Sequence, residues 1–556
     1  MVRPDASRGP VVRAGQWLRR ASTGRVWGRE MSVEPAARHG DGLASEATSW
    51  RLFAGFGAMC LAMFMAILDI QIVATSLPTI QAQLAIAPED ASWMQTAYLI
   101  AEIVAIPLTG FLLRRFGLRW LFGTAVLAFT LASCGCAASQ SFAPLVAWRV
   151  VQGFAGGTLI PSVFAAVFLL FPERHQTAAT TIAGVLAVLA PTVGPIFGGW
   201  ITGTYSWHWL FLVNVAPGVL AVIGGLALLP GGGRDRETGW PDPVAVVLLA
   251  GGLAALVIGL KEAPHRGWGS APVTLLLALS AGAGAGLFAR CRRATQPLLD
   301  LSLLRDRDFA VGSAFSFLLG IALFGSVYLM PVFLAYVRGH DALEIGRIML
   351  ATGLAQLVAA PVAVFLERRV DARWLSAFGF ALLALGCGLG AFQSAETDAA
   401  EMLLPQLLRG AAFMFCLLPP TRLALGHLPA ARVADASALF NLMRNLGGAI
   451  GIAAIDTILY GLGPSYGQAI AERLKAGDAQ TLATLRLPDF FTSGSGVTIG
   501  DHALHSLVEP RIRVLALVET TDLAWALIAA LTAAALCLVP LLRASPPASG
   551  PSPHAA

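Results

Sequence analysis

The chain has 556 residues, of which 56% are hydrophobic and only 13% charged, with a formal net charge of +5. A soluble globular protein carries about 25% charged residues, so a soluble enzyme of this length is excluded and a polytopic membrane protein is indicated. The seven cysteines lie in or beside apolar runs without framework spacing, so they read as small buried hydrophobes and not as disulfides or metal ligands. The positive charge is spread over connections and marks no nucleic-acid-binding surface.

Residues 1–50 are arginine-rich, lack apolar periodicity and contain no signal-peptide apolar region, which predicts a disordered cytoplasmic arm. Met31 offers the alternative of a later translation start. Apolar runs long enough to cross a hydrocarbon core of roughly 30 Å then follow at 52–75, 93–112, 120–138, 142–170, 177–202, 209–229, 242–260, 272–290, 309–335, 344–366, 374–394, 401–423, 436–460 and 521–543. Fourteen spans put both termini on one side. With that side cytoplasmic, the inner connections hold Arg114, Arg115, Arg119, Arg174, Arg234, Arg236, Arg290, Arg292, Arg293, Arg305, Arg307, Arg368, Arg369, Arg373 and Arg432. The short outer loops hold little beyond Lys261, Arg266 and Arg338, and carry Glu89, Asp90, Glu396 and Asp398. The positive-inside rule therefore predicts cytoplasmic termini in the inner membrane. Only 461–520 is a long outer segment, and within it Ile470, Leu474, Leu482 and Leu485 recur at helical spacing.

A repeat divides the chain. "FLLRRFGLRW" (111–120) follows the second span and "FLERRVDARW" (365–374) the tenth, with Phe-Leu, Arg-Arg and Arg-Trp at identical spacing. Arg149 in the fourth span has a counterpart in Arg409. The predicted fold class is an all-α polytopic membrane protein. It has a six-helix half at 51–229, two linker helices and a cytoplasmic loop at 230–308, a second six-helix half at 309–543 and a cytoplasmic tail at 544–556. Two parallel halves with a site between them are a transporter architecture.

Ionisable groups inside spans cost roughly 2.5–3.5 kcal/mol each on insertion scales and mark functional sites by default. Asp69, Glu102 and Arg149 are the clear cases in the first half, about 9, 14 and 10 Å inside the outer boundary at 1.5 Å per residue. A shared proton-coupling site is geometrically open to them; the alternative is a structural ion pair that only orients helices. Arg409, Arg444 and Asp456 of the second half read as structural, and Asn441 as a further polar group there. In the fifth span, Pro191, Gly194 and Gly198 share one helix face. Small residues at that spacing allow close helix approach, and Pro195 permits a bend.

In order along the chain, "LDIQIVATSLPTI" (68–80), "WMQTAYLIAEIVAIPLTGFL" (93–112), "RVVQGFAGGTLIP" (149–161), "APTVGPIFGGW" (190–200), "WHWLFLVNVAPG" (207–218) and "ASALFNLMRNLGGAIG" (436–451) resemble the motifs of the fourteen-helix drug–proton antiporters of the major facilitator superfamily, EmrB/QacA type and closer to EmrB. The resemblance implies proton-driven export of amphipathic compounds through a membrane-embedded bundle, powered by the proton gradient without a cofactor. In a Gram-negative host it also implies a periplasmic membrane-fusion adaptor and an outer-membrane channel. It assigns Pro191, Gly194, Pro195, Gly198 and Gly199 to an antiporter motif packed against the tenth span. It assigns Gly110, Arg114, Arg115, Gly117, Arg119, Arg368, Arg369 and Arg373 to cytoplasmic gating loops. Two positions depart from the pattern: Arg114 stands where an Asp is usual, and Ala190 where a Gly is usual. A symporter or importer on the same fold, and a degenerate-transporter scaffold or sensor, are the rival readings. No metal-ligand spacing, nucleophile motif or P-loop supports an enzyme or an ATP-driven pump.

Overall fold

The computed structural model describes residues 41–85, 93–231, 241–294, 297–476, 478–485 and 502–543. The arm before residue 41, Met31, Glu89, Asp90, Arg234, Arg236 and the tail 544–556 fall outside them. The chain forms two compact units, residues 1–49 and 50–556; of the first, only the helical stretch 41–49 is described.

All regular structure among the described residues is helical, as burial of backbone polar groups in lipid demands. The first half comprises α1 (Asp41–Gln83), α2 (Trp93–Phe116), α3 (Leu118–Ala137), α4 (Phe142–Leu170), α5 (Glu173–Thr204), and α6 (His208–Leu212) with α7 (Val215–Leu228), which together make one span. The linker hairpin is α8 (Pro243–Arg266) and α9 (Ala271–Arg293). The second half comprises α10 (Arg307–Tyr336), α11 (Ala342–Glu367), α12 (Ala372–Leu389), α13 (Ala399–Leu425), α14 (Ala430–Asp456), α15 (Gly463–Lys475), α16 (Ala479–Thr484) and α17 (His502–Ala534). Thirteen of the helices are long and apolar enough to span, and the pair Arg174–Pro191 and Ile196–Thr204, bent by 48°, makes a fourteenth. Aspartates start several of the later helices. Asp242, Asp306, Asp341, Asp371 and Asp398 accept backbone N–H groups at their N-termini, and Asp341 and Asp398 complete capping boxes with Glu344 and Glu401.

Helix pairing repeats between the halves. Packing of α3 on α4 and α7, and of α2 on α4, recurs as α12 on α13 and α17, and α11 on α13. Across the halves, α2 meets α14 and, in the matching position, α11 meets α5. The hairpin departs from this symmetry: α8 rests on α2 and α14 together. Lys261 of α8 reaches Thr96 of α2 at 2.9 Å and lies 4.9 Å from the Trp93 ring centre. Trp268, just past α8, donates to Thr457 at 3.0 Å.

The structure revises the segment 461–520. A π-helical turn, Thr457–Leu462, carries α14 on into α15, and α17 begins at His502, well before the expected 521. Ile470, Leu474, Leu482 and Leu485 are buried with Val508 and Ala516 in one apolar cluster. Much of the expected loop is therefore helix, because its apolar residues at helical spacing find a partner face on α17.

Candidate functional site

Asp69 and Arg149 are both fully buried, and their side chains meet at 2.5 Å between Oδ2 and Nη1. Helix α4 brings Gln152, one turn beyond Arg149, to the same pair. Its Oε1 accepts from Arg149 at 2.7 Å and its Nε2 donates to Asp69 Oδ1 at 3.1 Å. Asn214, at the junction of α6 and α7, donates to the same Asp69 oxygen at 2.7 Å. Ser133 of α3 accepts from Gln152 at 2.8 Å. Arg149 is further held by the Met94 carbonyl at 3.2 Å and lies 4.3 Å from the Tyr98 ring centre. Helices α1 to α4 and the α6–α7 junction thus converge on one ion pair. Such partners offset the cost of burying the two charges, and only the Nη2 of Arg149 is left without a hydrogen bond among the described residues.

Glu102 does not join this network. It is 4% exposed on α2 and makes no ion pair among the described residues. Of the three charges expected to share a site, Asp69 and Arg149 bond directly, whereas Glu102 makes no direct bond to them but lies within electrostatic reach of Arg149. Gln152 and Asn214 were absent from the predicted site residues, although both lie in the quoted motifs.

The α2–α3 turn is tight. Gly117 alone separates the helices, with φ 77°, a conformation that favours glycine. Arg114, near the end of α2, forms an ion pair with Asp435 of α14, in the other half. A Cβ on Gly110 would strike Asp435, so glycine is what lets α14 approach there. The counterpart turn of the second half is built differently. Asp371 caps α12 and pairs with Arg373 at 2.9 Å, Arg369 lies 4.2 Å from the Phe365 ring centre, and Arg422 approaches the buried Glu367 at 3.7 Å.

In α5, Pro191, Gly194 and Gly198 are buried and Gly199 is half-buried; the Pro195 side chain lies outside those described. The expected partner of the glycine face is corrected. A Cβ on Gly194 would meet Gln71 of α1, and the Gly198 carbonyl accepts from Ser76 of α1 at 3.4 Å. Helix α5 does pack on α11, but the glycine that permits this is Gly346 of α11, whose Cβ would sit 3.1 Å from the Ile196 backbone nitrogen.

The second-half polar residues separate. Arg444 donates to Asn441 and stacks 5.3 Å from the ring centre of Phe164 in the first half. Nearby, Ser437 donates to the Pro161 carbonyl at 2.8 Å, also across the halves. Arg409 lies elsewhere, over Trp525 of α17.

The sequence from 59 to 452 matches the family model of the Major Facilitator Superfamily. The chain is 36% identical over 420 residues to the colistin resistance protein EmrB of Acinetobacter baumannii, covering 74% of this chain and 80% of that protein. It is 31% identical over 403 residues to the multidrug export protein EmrB of Escherichia coli K12, covering 72% and 79%. Among solved structures, the human organic anion transporter TETRAN superposes with a TM-score of 0.56 at 14% identity, covering 88% of this chain and 99% of that one, which shows the shared fold. This multi-pass membrane chain belongs to the Major Facilitator Superfamily, among its EmrB-type transporters.

Proposed function

We propose that the protein exports amphipathic toxic compounds across the inner membrane in exchange for protons, with its termini and the α2–α3 turn on the cytoplasmic side. The relatives named for multidrug export and colistin resistance support the substrate class. The observation that carries the coupling is the pairing of a closed ion pair, Asp69–Arg149, with a nearby buried carboxyl, Glu102, that has no ion-pair partner among the described residues. Glu102 is the group able to take up and release a proton without breaking an ion pair. Asp69, tied to α4 and to the α6–α7 junction, transmits a change of charge into helix position. One charge crossing 100 mV is worth about 2.3 kcal/mol, enough to sustain a gradient of roughly fifty-fold.

In proteoliposomes with an imposed pH gradient, Glu102→Gln should insert normally, bind substrate and lose gradient-driven efflux. Asp69→Asn should do the same, with added loss of thermal stability because Arg149 is left buried and unpaired. Wild-type efflux from both variants would end the coupling assignment. Adding substrate to the purified wild type should release protons, which separates antiport from symport and from a scaffold.

A further inference from the structure

Arg149 and Arg409 stand at matching places, the fourth helix of each half, and are 0% and 3% exposed. Helix α1 answers the first with Asp69. The matching helix α10 answers the second with Met330, whose sulfur lies 2.8 Å from an Arg409 Nη. A thioether is a weak acceptor without charge. Arg409 also lies 4.4 Å from the Trp525 ring centre. Among the described residues it forms no ion pair, and neither its Nε nor the Trp525 indole N–H has a hydrogen-bond partner.

Three carboxylates near the cavity, Asp398, Glu401 and Asp522, bond to other groups. Asp398 holds Arg338 at 2.9 Å and His340 at 3.0 Å, and those two bonds keep its pKa down at about 2. Glu401, on the cavity wall, accepts the Asp398 backbone N–H at 3.1 Å, and Asp522 accepts that of Gln393 at 3.0 Å. An uncompensated buried guanidinium is strongly unfavourable. Arg409 fronts a cavity of about 290 Å³, walled by Met330, Leu389, Phe392, Met402 and Pro405 as well as polar loop residues. Its lining comes wholly from the second half, so it is separate from a pathway between halves.

We propose that this cavity is an accessory binding site for a monoanionic amphiphile. Its carboxylate or phosphate head occupies, beside Arg409, the role that Asp69 fills beside Arg149, and its apolar tail lies on Leu389, Phe392 and Met402. The head-group chemistry is common to a free amphiphile and to an anionic lipid. Thermal unfolding of the full-length protein in neutral detergent tests the site, with decanoate, phosphatidylglycerol, phosphatidylcholine and decyltrimethylammonium as probes. Wild type should gain on the order of 2 °C with an anionic probe and nothing with the other two. A response to decanoate alone assigns a soluble amphiphile, and one to phosphatidylglycerol alone assigns a lipid. Arg409→Gln should lose the response. Met330→Asp supplies the missing carboxylate from the protein itself, so it should be at least as stable as wild type and indifferent to the anion. The absence of any anionic response, an equal response to the cationic probe, or a wild-type response from Met330→Asp would each overturn the proposal.

Discussion

Arg114 and Asp435 join the two halves of the chain through a single pair of side chains. Arg114 stands on α2 where the resembled motif usually carries an Asp, and it forms an ion pair across the halves with Asp435 of α14. The side chains are 23% and 11% exposed, so solvent screens the pair only partly. Arg114→Asp should lower efflux by roughly tenfold, equivalent to about 1.4 kcal/mol. The double variant Arg114→Asp with Asp435→Arg should recover most of it in the same transport assay. If the double variant is as impaired as the single one, the pair is not the contact that matters. Legibility at this scale followed charge and surroundings. Asp69 and Arg149 stood out because ions are costly in apolar runs. Gln152 and Asn214 did not, since neutral amides are cheaper to bury and occur in helices for many reasons. Asp435 was unreadable because carboxylates near a helix start are favoured by the helix dipole anyway.

At the scale of elements, the breakers in α5 serve two neighbours. The 48° bend lies between Pro191 and Ile196, with Gly194 inside it. The face of Gly194 and Gly198 seats α1, while Ile196 meets Gly346 of α11. Spacing alone revealed that α5 is approached closely but not by which helix, because small residues on one face admit any partner. Gly346→Leu should leave insertion intact and reduce efflux at least tenfold by forcing α11 from α5. Gly198→Leu should do so by displacing α1. A cysteine cross-link between α5 and α11 should lose efficiency in the first variant and keep it in the second; equal effects would refute the division of faces. The span count was legible because lipid imposes a length and an apolar composition. The outer ends were not, since α15 and the start of α17 hold each other through a small apolar cluster outside the long hydrophobic runs.

At the scale of the whole molecule, α15 and the start of α17 pack together past the end of α14 as a small helical unit. We propose it as the docking surface for a periplasmic adaptor. Replacing 465–507 by a Gly/Ser linker should leave proteoliposome transport unchanged and abolish resistance in whole cells; surviving resistance would rule the unit out. The paired architecture itself was legible from the repeated turn sequences, whereas the placing of the linker hairpin was not, because nothing in an apolar hairpin specifies which groove it fills. A bundle of two like halves has two flanks where a lipid-dissolved solute can slip between them. Helix α8 lies across one flank, fastened to α2 by Lys261 and Thr96 and to the turn beyond α14 by Trp268 and Thr457. The flank between α5 and α11 has no such cover among the described residues. The hairpin therefore braces one of the two like flanks, and a fold of two repeated halves acquires a front and a back.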